Sequence, residues 1–501
     1  MSVSVRLNPY VVVSSVILVA LVAGVLAYSE DRGPVRTGES SPTQIHRPAK
    51  SLDIIRSSTP AHSAVGVSRR LFDTSPVAVL ADARDGQAQK IAIASATSLG
   101  VPVLIDDATA TAELERLGAR RVLTFGRTRE VDGAQAVPVH RTRAANAVAA
   151  LRGTTAVRNK RRVDAIVVTR SRAANAAAVA TARNAGAEVL QIPTADPRRT
   201  PAAAKILAAR PKTPVIALGT PFVRSFAYEL AVVRKRVLQP SGGYLALPGK
   251  HYTAMYGHPG TPSLGVLGEQ GVKASIQRVE RLARKYRRVS EAEFVPTFEI
   301  IATVASGGPG KDKDYSQEAS VKRLTPLVDA AEKAGVYVIL DLQPGRTDFL
   351  TQAKRYRSLL ERPHVGLALD PEWRLKKKQK HLRQIGSVKV AEINRVGDWL
   401  AQLTRRKELP QKIFVLHQFS LSMIKNRGRL DTRHAELATV IHVDGSGAQG
   451  AKQETWRGLR RNAPDGVHWG WKNFVDEDPH MLTVQETWRR VRPHPALITY
   501  Q

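Results

Sequence analysis

The sequence predicts an α/β protein: a tandem of Rossmann-like parallel α/β units followed by a (β/α)8 barrel. Three observations predict it. Short apolar strands alternate with amphipathic helices from about residue 75 onward. The earlier elements fall into two similar βαβαβ groups. The segment 241–501 then holds eight strands separated mostly by helices, the size and rhythm of a closed barrel.

The chain opens on an uncharged apolar run, 10–28, preceded by Arg6 and followed by Glu30 and Asp31. Its length suits a transmembrane anchor, and small residues at Val25 and Ala27 leave room for signal cleavage. The expectation is an exported protein at the cell membrane, facing the wall, or secreted if residues 1–28 are removed. Residues 29–72, rich in Ser, Pro, Thr and charge, read as a disordered linker.

Residues 73–240 carry the two α/β groups. Each ends on an apolar strand followed by Gly, "VLTFG" and "VIALG", which suggests an internal duplication. The stretch "GVPVLIDDATATAELERLGARRVLTFG" resembles the bacterial cell wall-binding repeat 2 family. It departs from that family in its closing "FGR" and "LGT", where paired glycines belong. The resemblance implies binding to an anionic cell-wall polymer. No GxGxxG follows any strand, so a dinucleotide site is not expected.

In 241–501 the strands begin near His251, Thr297, Val336, Val365, Lys412, Ala438, Gly466 and Ala496. Barrel enzymes place their chemistry where strands end, and these ends are polar. Asp341, Asp370 and Glu372 are the leading catalytic candidates, with Glu299 and Asp444 in support. Asp370 and Glu372 would share a face if the strand persisted past Pro371, with Asp370 favoured for the mouth. Tyr256, His258, Gln343, Trp373, His417, Gln418, His442, Trp471 and Lys472 are candidate substrate-binding residues. Trp469 is a further stacking platform for sugar rings.

Carboxylates around a mouth with tryptophans beside them suit glycoside cleavage, one acid donating to the leaving oxygen and one carboxylate opposing it. In architecture and acidic strand ends the C-terminal half resembles the broad glycoside-hydrolase-like barrels. The predicted function is thus hydrolysis of a cell-surface polysaccharide. The alternatives are a non-catalytic envelope-binding protein with a degenerate barrel, or a phosphodiesterase-like barrel using His258, His417 and His442. Capping and core packing are ordinary fates for each of these side chains.

Composition bounds the partners. A formal net charge of +32 favours a polyanion, and export points to a polysaccharide rather than nucleic acid. The basic run "RLKKKQKHLR" directly follows the DPEW segment. The absence of cysteine excludes disulfides, thiolate catalysis and a lipid-modified N-terminal cysteine. No cofactor and no metal is expected, since no HxH or HExxH spacing accompanies His442, Asp444, Asp341 and Asp370.

Overall fold

The structure is a computed structural model that describes residues 42–152 and 162–501. Its N-terminal part contains eight principal strands. They are β1 (Leu52–Ile55), β2 (Val77–Ala81), β3 (Val103–Ile105), β4 (Arg121–Phe125), β5 (Gln135–Pro138), β6 (Ile166–Thr169), β7 (Glu188–Gln191) and β8 (Val215–Leu218). They form two four-stranded parallel sheets, ordered β3-β2-β4-β5 and β1-β8-β6-β7. The central strands are buried along their length, as apolar parallel strands covered on both faces must be.

These sheets are parallel α/β layers, but a duplicated Rossmann-like module is not confirmed. The second sheet takes its edge strand, β1, from upstream of the first, so the two halves are not self-contained copies. The same strand corrects the linker expectation for residues 42–72. Leu52–Ile55 pairs with β8, and the helix Pro60–Leu71 follows, capped by the Thr59 side chain with Pro60 at its start. Its Ala64, Val65, Val67 and Leu71 belong to the buried core.

The second half is a closed barrel of eight parallel strands. These are β9 (Lys250–Gly257), β10 (Glu293–Ala305), β11 (Tyr337–Leu342), β12 (Val365–Leu369), β13 (Lys412–His417), β14 (Leu437–Val443), β15 (His468–Asn473) and β16 (Leu497–Tyr500). Each pairs with the next, and β16 closes on β9 through Tyr252–Leu497 to Met255–Tyr500. The stretch 444–448 that follows β14 leads directly into the helix Gln449–Arg460.

Strand alternation divides the barrel into two environments. Tyr252, Ala254, Val295, Tyr337, Ile339, Ala368, Ile413, Val415, Val440 and Leu497 fill the interior. Phe294, Phe298, Ile300, Val338, Leu340, Leu367 and Leu416 pack outward with the surrounding helices. Both sets are apolar, which is why β11, β12 and β13 read as near-continuous hydrophobic runs.

Among the described residues no helix is long and apolar enough to cross a membrane. The longest, Val390–Arg406, has 17 residues and carries Glu392, Arg395, Asp398, Arg405 and Arg406. This corrects the expected transmembrane helix, the membrane partner and the placement at the cell membrane. The apolar run 10–28, on which those expectations and that of a signal rested, lies outside the described residues.

Candidate functional site

Following the interior positions toward the C-terminal ends of the strands, the barrel filling changes from apolar to ionic. Glu299 lies four residues beyond Val295 on β10, Asp341 two beyond Ile339 on β11, and His417 two beyond Val415 on β13. All three are fully buried. The period of two that places the apolar layer therefore aims these groups at the barrel axis as well.

His417 joins them. Its Nδ1 lies 2.8 Å from Asp444 Oδ2 and its Nε2 2.9 Å from Glu299 Oε1, with Asp341 Oδ1 3.7 Å from the same nitrogen. Tyr256 donates its hydroxyl hydrogen to Asp341 Oδ2 at 2.8 Å, and Gln343 Nε2 donates to the Tyr256 oxygen at 3.3 Å. His442 stands beside His417, ring centroids 4.9 Å apart, with its Nε2 3.0 Å from Thr499 Oγ1. Gly470 makes room for this imidazole: a Cβ there would lie 2.3 Å from His442 Cδ2.

Burial alone would lower the basicity of His417. The carboxylates of Asp341, Glu299 and Asp444 outweigh it and hold the imidazole well above its ordinary pKa, so it is a buried imidazolium. His442 is driven the other way, by burial and then by the His417 charge, and is neutral.

Above this layer opens a cavity of about 400 Å³ lined by Tyr256, Gln343, Asp370, Glu372, Asp444 and Lys472, with Trp373, Phe419 and Phe474 among its apolar walls. Three of its carboxyl groups, Asp370, Glu372 and Asp444, differ in charge state. Burial raises Asp370 well above the usual carboxylate range; His417 opposes this, while Asp341, Asp444 and Glu372 add to it. Glu372 is pushed up to about 7 by burial and then by the Asp444 charge, against Lys472 and His417. Burial also acts upward on Asp444, but the charge and hydrogen bond of His417 prevail and hold it below the usual value. Burial likewise raises Asp341, against the His417 charge. The Lys472 ammonium, from the cavity wall, sits 3.6 Å from the Tyr256 ring centroid.

Asp370 and Glu372 do not share a strand face. The strand stops at Leu369, and Asp370 caps a single 3-10 turn, Pro371–Trp373, by accepting from the Glu372 amide at 3.1 Å. The turn nonetheless delivers both side chains to the cavity. Neither is engaged by an arginine or lysine ion pair among the described residues.

Of the other predicted residues, Tyr256, Gln343, Trp373 and Lys472 line the cavity. Glu299, Asp341, His417 and His442 lie in the ionic layer beneath it. Three residues fall elsewhere. His258 is buried with Nδ1 2.9 Å from the Ile301 carbonyl oxygen. Gln418 accepts from Arg427 and donates to the Ser420 carbonyl, away from the mouth. Trp471 is fully buried outside the barrel wall, 5.7 Å from Trp456, because inward positions on β15 are His468, Gly470 and Lys472. Trp469 shares that outward face. Phe419, Phe474, Ser446 and Glu477 line the cavity without having been singled out; all four sit in loops just past strand ends.

One ligand atom each from His417, His442 and Asp444 lies within 4.8 Å of the others, a spacing a metal ion would tolerate. Both nitrogens of His417 already face carboxylates at hydrogen-bond distance, so the imidazolium itself occupies the place of the cation.

No family model and no curated protein matches the chain. Among solved structures, Cwp6 from Clostridium difficile, a cell wall protein, is a weak neighbour at 12% identity and a TM-score of 0.18. The alignment covers 91% of this chain and 62% of that one, so the chain spans about three-fifths of its length. At that score the likeness bears on neither fold nor activity. The resemblance to the cell wall-binding repeats stays unconfirmed, and neither hydrolase activity nor secretion gains support.

Proposed function

We propose that the barrel cleaves glycosidic bonds of a polysaccharide, with Glu372 as the general acid and Asp444 as the opposing carboxylate. The observation that carries this reading is the contrast between two groups lining one cavity: Glu372 raised to about 7 and Asp444 held ionised by His417. Paired carboxyl groups whose environments drive their pKa values apart are the signature of an acid and a base set for different tasks.

Each neighbour then has a role. Protonated near neutrality, Glu372 gives its proton to the leaving oxygen as the glycosidic C–O bond breaks; the Asp444 charge faces the developing oxocarbenium centre until water adds there and returns a proton to Glu372. The His417 imidazolium keeps Asp444 charged, and Glu299 and Asp341 neutralise that imidazolium from below. Asp370, neutral, is a hydrogen-bond donor to the sugar. Trp373 and Phe474 offer ring faces for stacking.

The phosphodiesterase alternative finds no histidine on the cavity wall, since the neutral His442 lies fully buried in the layer beneath it. His258 is outside the mouth, and His417 is charged and bonded on both sides. The reading is tested by reducing-end release from a panel of neutral and acidic polysaccharides. Wild-type turnover, with losses of about 10³-fold or more in Glu372→Gln and Asp444→Asn, supports it. Binding without turnover by the wild type would favour the degenerate-barrel alternative instead.

A further inference from the structure

A second concavity lies beside the mouth, and nothing in the chemistry above uses it. This groove, of about 540 Å³, is lined by Arg346, Arg374, Lys376, Lys377, Lys389 and Arg395. Its one carboxylate, Glu392, is already taken: it accepts from Arg374 Nε at 3.0 Å and from the Phe349 amide at 3.0 Å. No ion pair among the described residues engages Lys376, Lys377, Lys389 or Arg395, and all four are exposed. Solvated lysines on a convex surface would mean little; here six cations converge on one concave wall.

Two further features add to the field. The helix Val390–Arg406 starts in this groove with no side chain capping it, so its amide dipoles add positive potential there. Arg346 Nε is buried without a hydrogen-bond partner while its guanidinium lies 4.2 Å over the Tyr315 ring, held in place and unsaturated.

The groove and the mouth are parts of one loop structure. Arg374 in the groove is two residues from Glu372 in the mouth. The Gly386 amide donates to the Glu372 carbonyl at 2.7 Å and the Ser387 amide to the Arg374 carbonyl at 3.2 Å. A Cβ on Gly386 would lie 2.3 Å from that Glu372 oxygen, so the two walls are pressed together. Trp373 on the mouth wall is thus followed directly by Arg374 on the groove wall, so a chain leaving the mouth past Trp373 runs toward the cations.

We infer that the groove is an anion-binding subsite, and that the polysaccharide handled by the mouth is acidic, bearing carboxylate or phosphate groups along its chain. The link to the mouth rests on the proposed function; the groove's preference for an acidic glycan does not. Nucleic acid, the other extended polyanion, is the weaker fit, because no aromatic ring lines the groove to stack on bases.

The test is equilibrium binding of fluorescently labelled oligogalacturonate, a phosphodiester-linked oligosaccharide, a neutral oligosaccharide and single-stranded DNA to the full chain. Lys376→Glu, Lys377→Glu and Lys389→Glu are combined in one variant. A charge-matched control combines Lys273→Glu, Lys285→Glu and Lys322→Glu, all on outer barrel helices. The groove variant should bind an acidic oligosaccharide about 10- to 100-fold more weakly, with a shallower salt dependence, and the control less than about 3-fold more weakly. Whichever acidic oligosaccharide responds identifies the anion as carboxylate or phosphate. Equal weakening in the two variants would overturn the inference, because the attraction would then be diffuse. So would groove-dependent binding of DNA tighter than of either acidic oligosaccharide. If the groove variant loses binding while Glu372→Gln keeps full turnover, the glycosidase reading fails and the subsite stands.

Discussion

His417 Nδ1 lies 2.8 Å from Asp444 Oδ2, and neither side chain is more than marginally exposed. That contact links two layers of the barrel. Below it, Glu299 and Asp341 balance the imidazolium; above it, Asp444 presents a charge to the cavity. The charge states of Asp370, Glu372 and Asp444 all respond to this one cation.

Removing the cation should therefore be costly. His417→Asn leaves Asp444, Glu299 and Asp341 facing one another with their common partner gone. Loss of one member of a buried ion cluster costs about 3–5 kcal/mol. Chemical denaturation should show a loss of that size, and a variant as stable as wild type would mean that the imidazolium does not hold the layer together.

Gly470 is the second test of that layer. A methyl group there collides with the His442 ring, so Gly470→Ala should cost about 1–3 kcal/mol through overpacking. Shrinking the ring should relieve it. Thermal unfolding of Gly470→Ala, His442→Ala and the double variant should show strong non-additivity, the double being less impaired than the sum of the singles. Simple additivity would place the two residues out of contact.

The opposite, N-terminal end of the barrel carries a buried amine. Lys412 Nζ donates to the Arg362 and Val365 carbonyls at 2.7 Å, and burial lowers its pKa to about 7. The folded value lies below the unfolded one, so between about pH 7 and 10 the unfolded chain binds the extra proton and stability rises with pH. The slope attributable to this group is at most about 1.4 kcal/mol per pH unit. Unfolding measured across that range should show it in wild type and lose it in Lys412→Met; the same slope in both would refute the assignment.

Two tryptophans should behave in opposite ways. Trp471, packed against Trp456 and fully buried, should cost about 3–5 kcal/mol of stability as Trp471→Ala. Trp373, half-buried on the cavity wall, should cost little stability as Trp373→Ala but weaken oligosaccharide binding by about tenfold. Calorimetry and binding titration of the pair would separate the roles, and a stable Trp471→Ala with impaired binding would reverse them.

The barrel was legible because most of its strands carry apolar runs, and all eight begin within a few residues of the predicted position. Glu299, Asp341 and His417 were each read as separate candidates and not as one cluster, although all three continue the inward alternation past the apolar filling. Legibility ends where the period of two ends. Pro371 turns the chain into a 3-10 turn, so the placing of Asp370 and Glu372 depends on a cap that no periodicity shows. Trp471 was misplaced by one residue of parity on β15. The short edge strand Leu52–Ile55 was hidden because its partner lies some 160 residues away, although Thr59-Pro60 carried a readable helix start. The charge states of Glu372 and Asp444 depend on burial and on His417 from another strand, and neither is written locally.

The central claim is that Glu372 acts as an acid poised near neutrality against an ionised Asp444. Its most direct test is the pH dependence of kcat/KM on a hydrolysed polysaccharide. Glu372 must be protonated and Asp444 ionised, so activity should fall above about pH 7 and persist below the usual carboxylate range on the acid side. In Glu372→Gln the alkaline limb should vanish along with most of the activity. An alkaline limb that survives unchanged in Glu372→Gln would contradict the account.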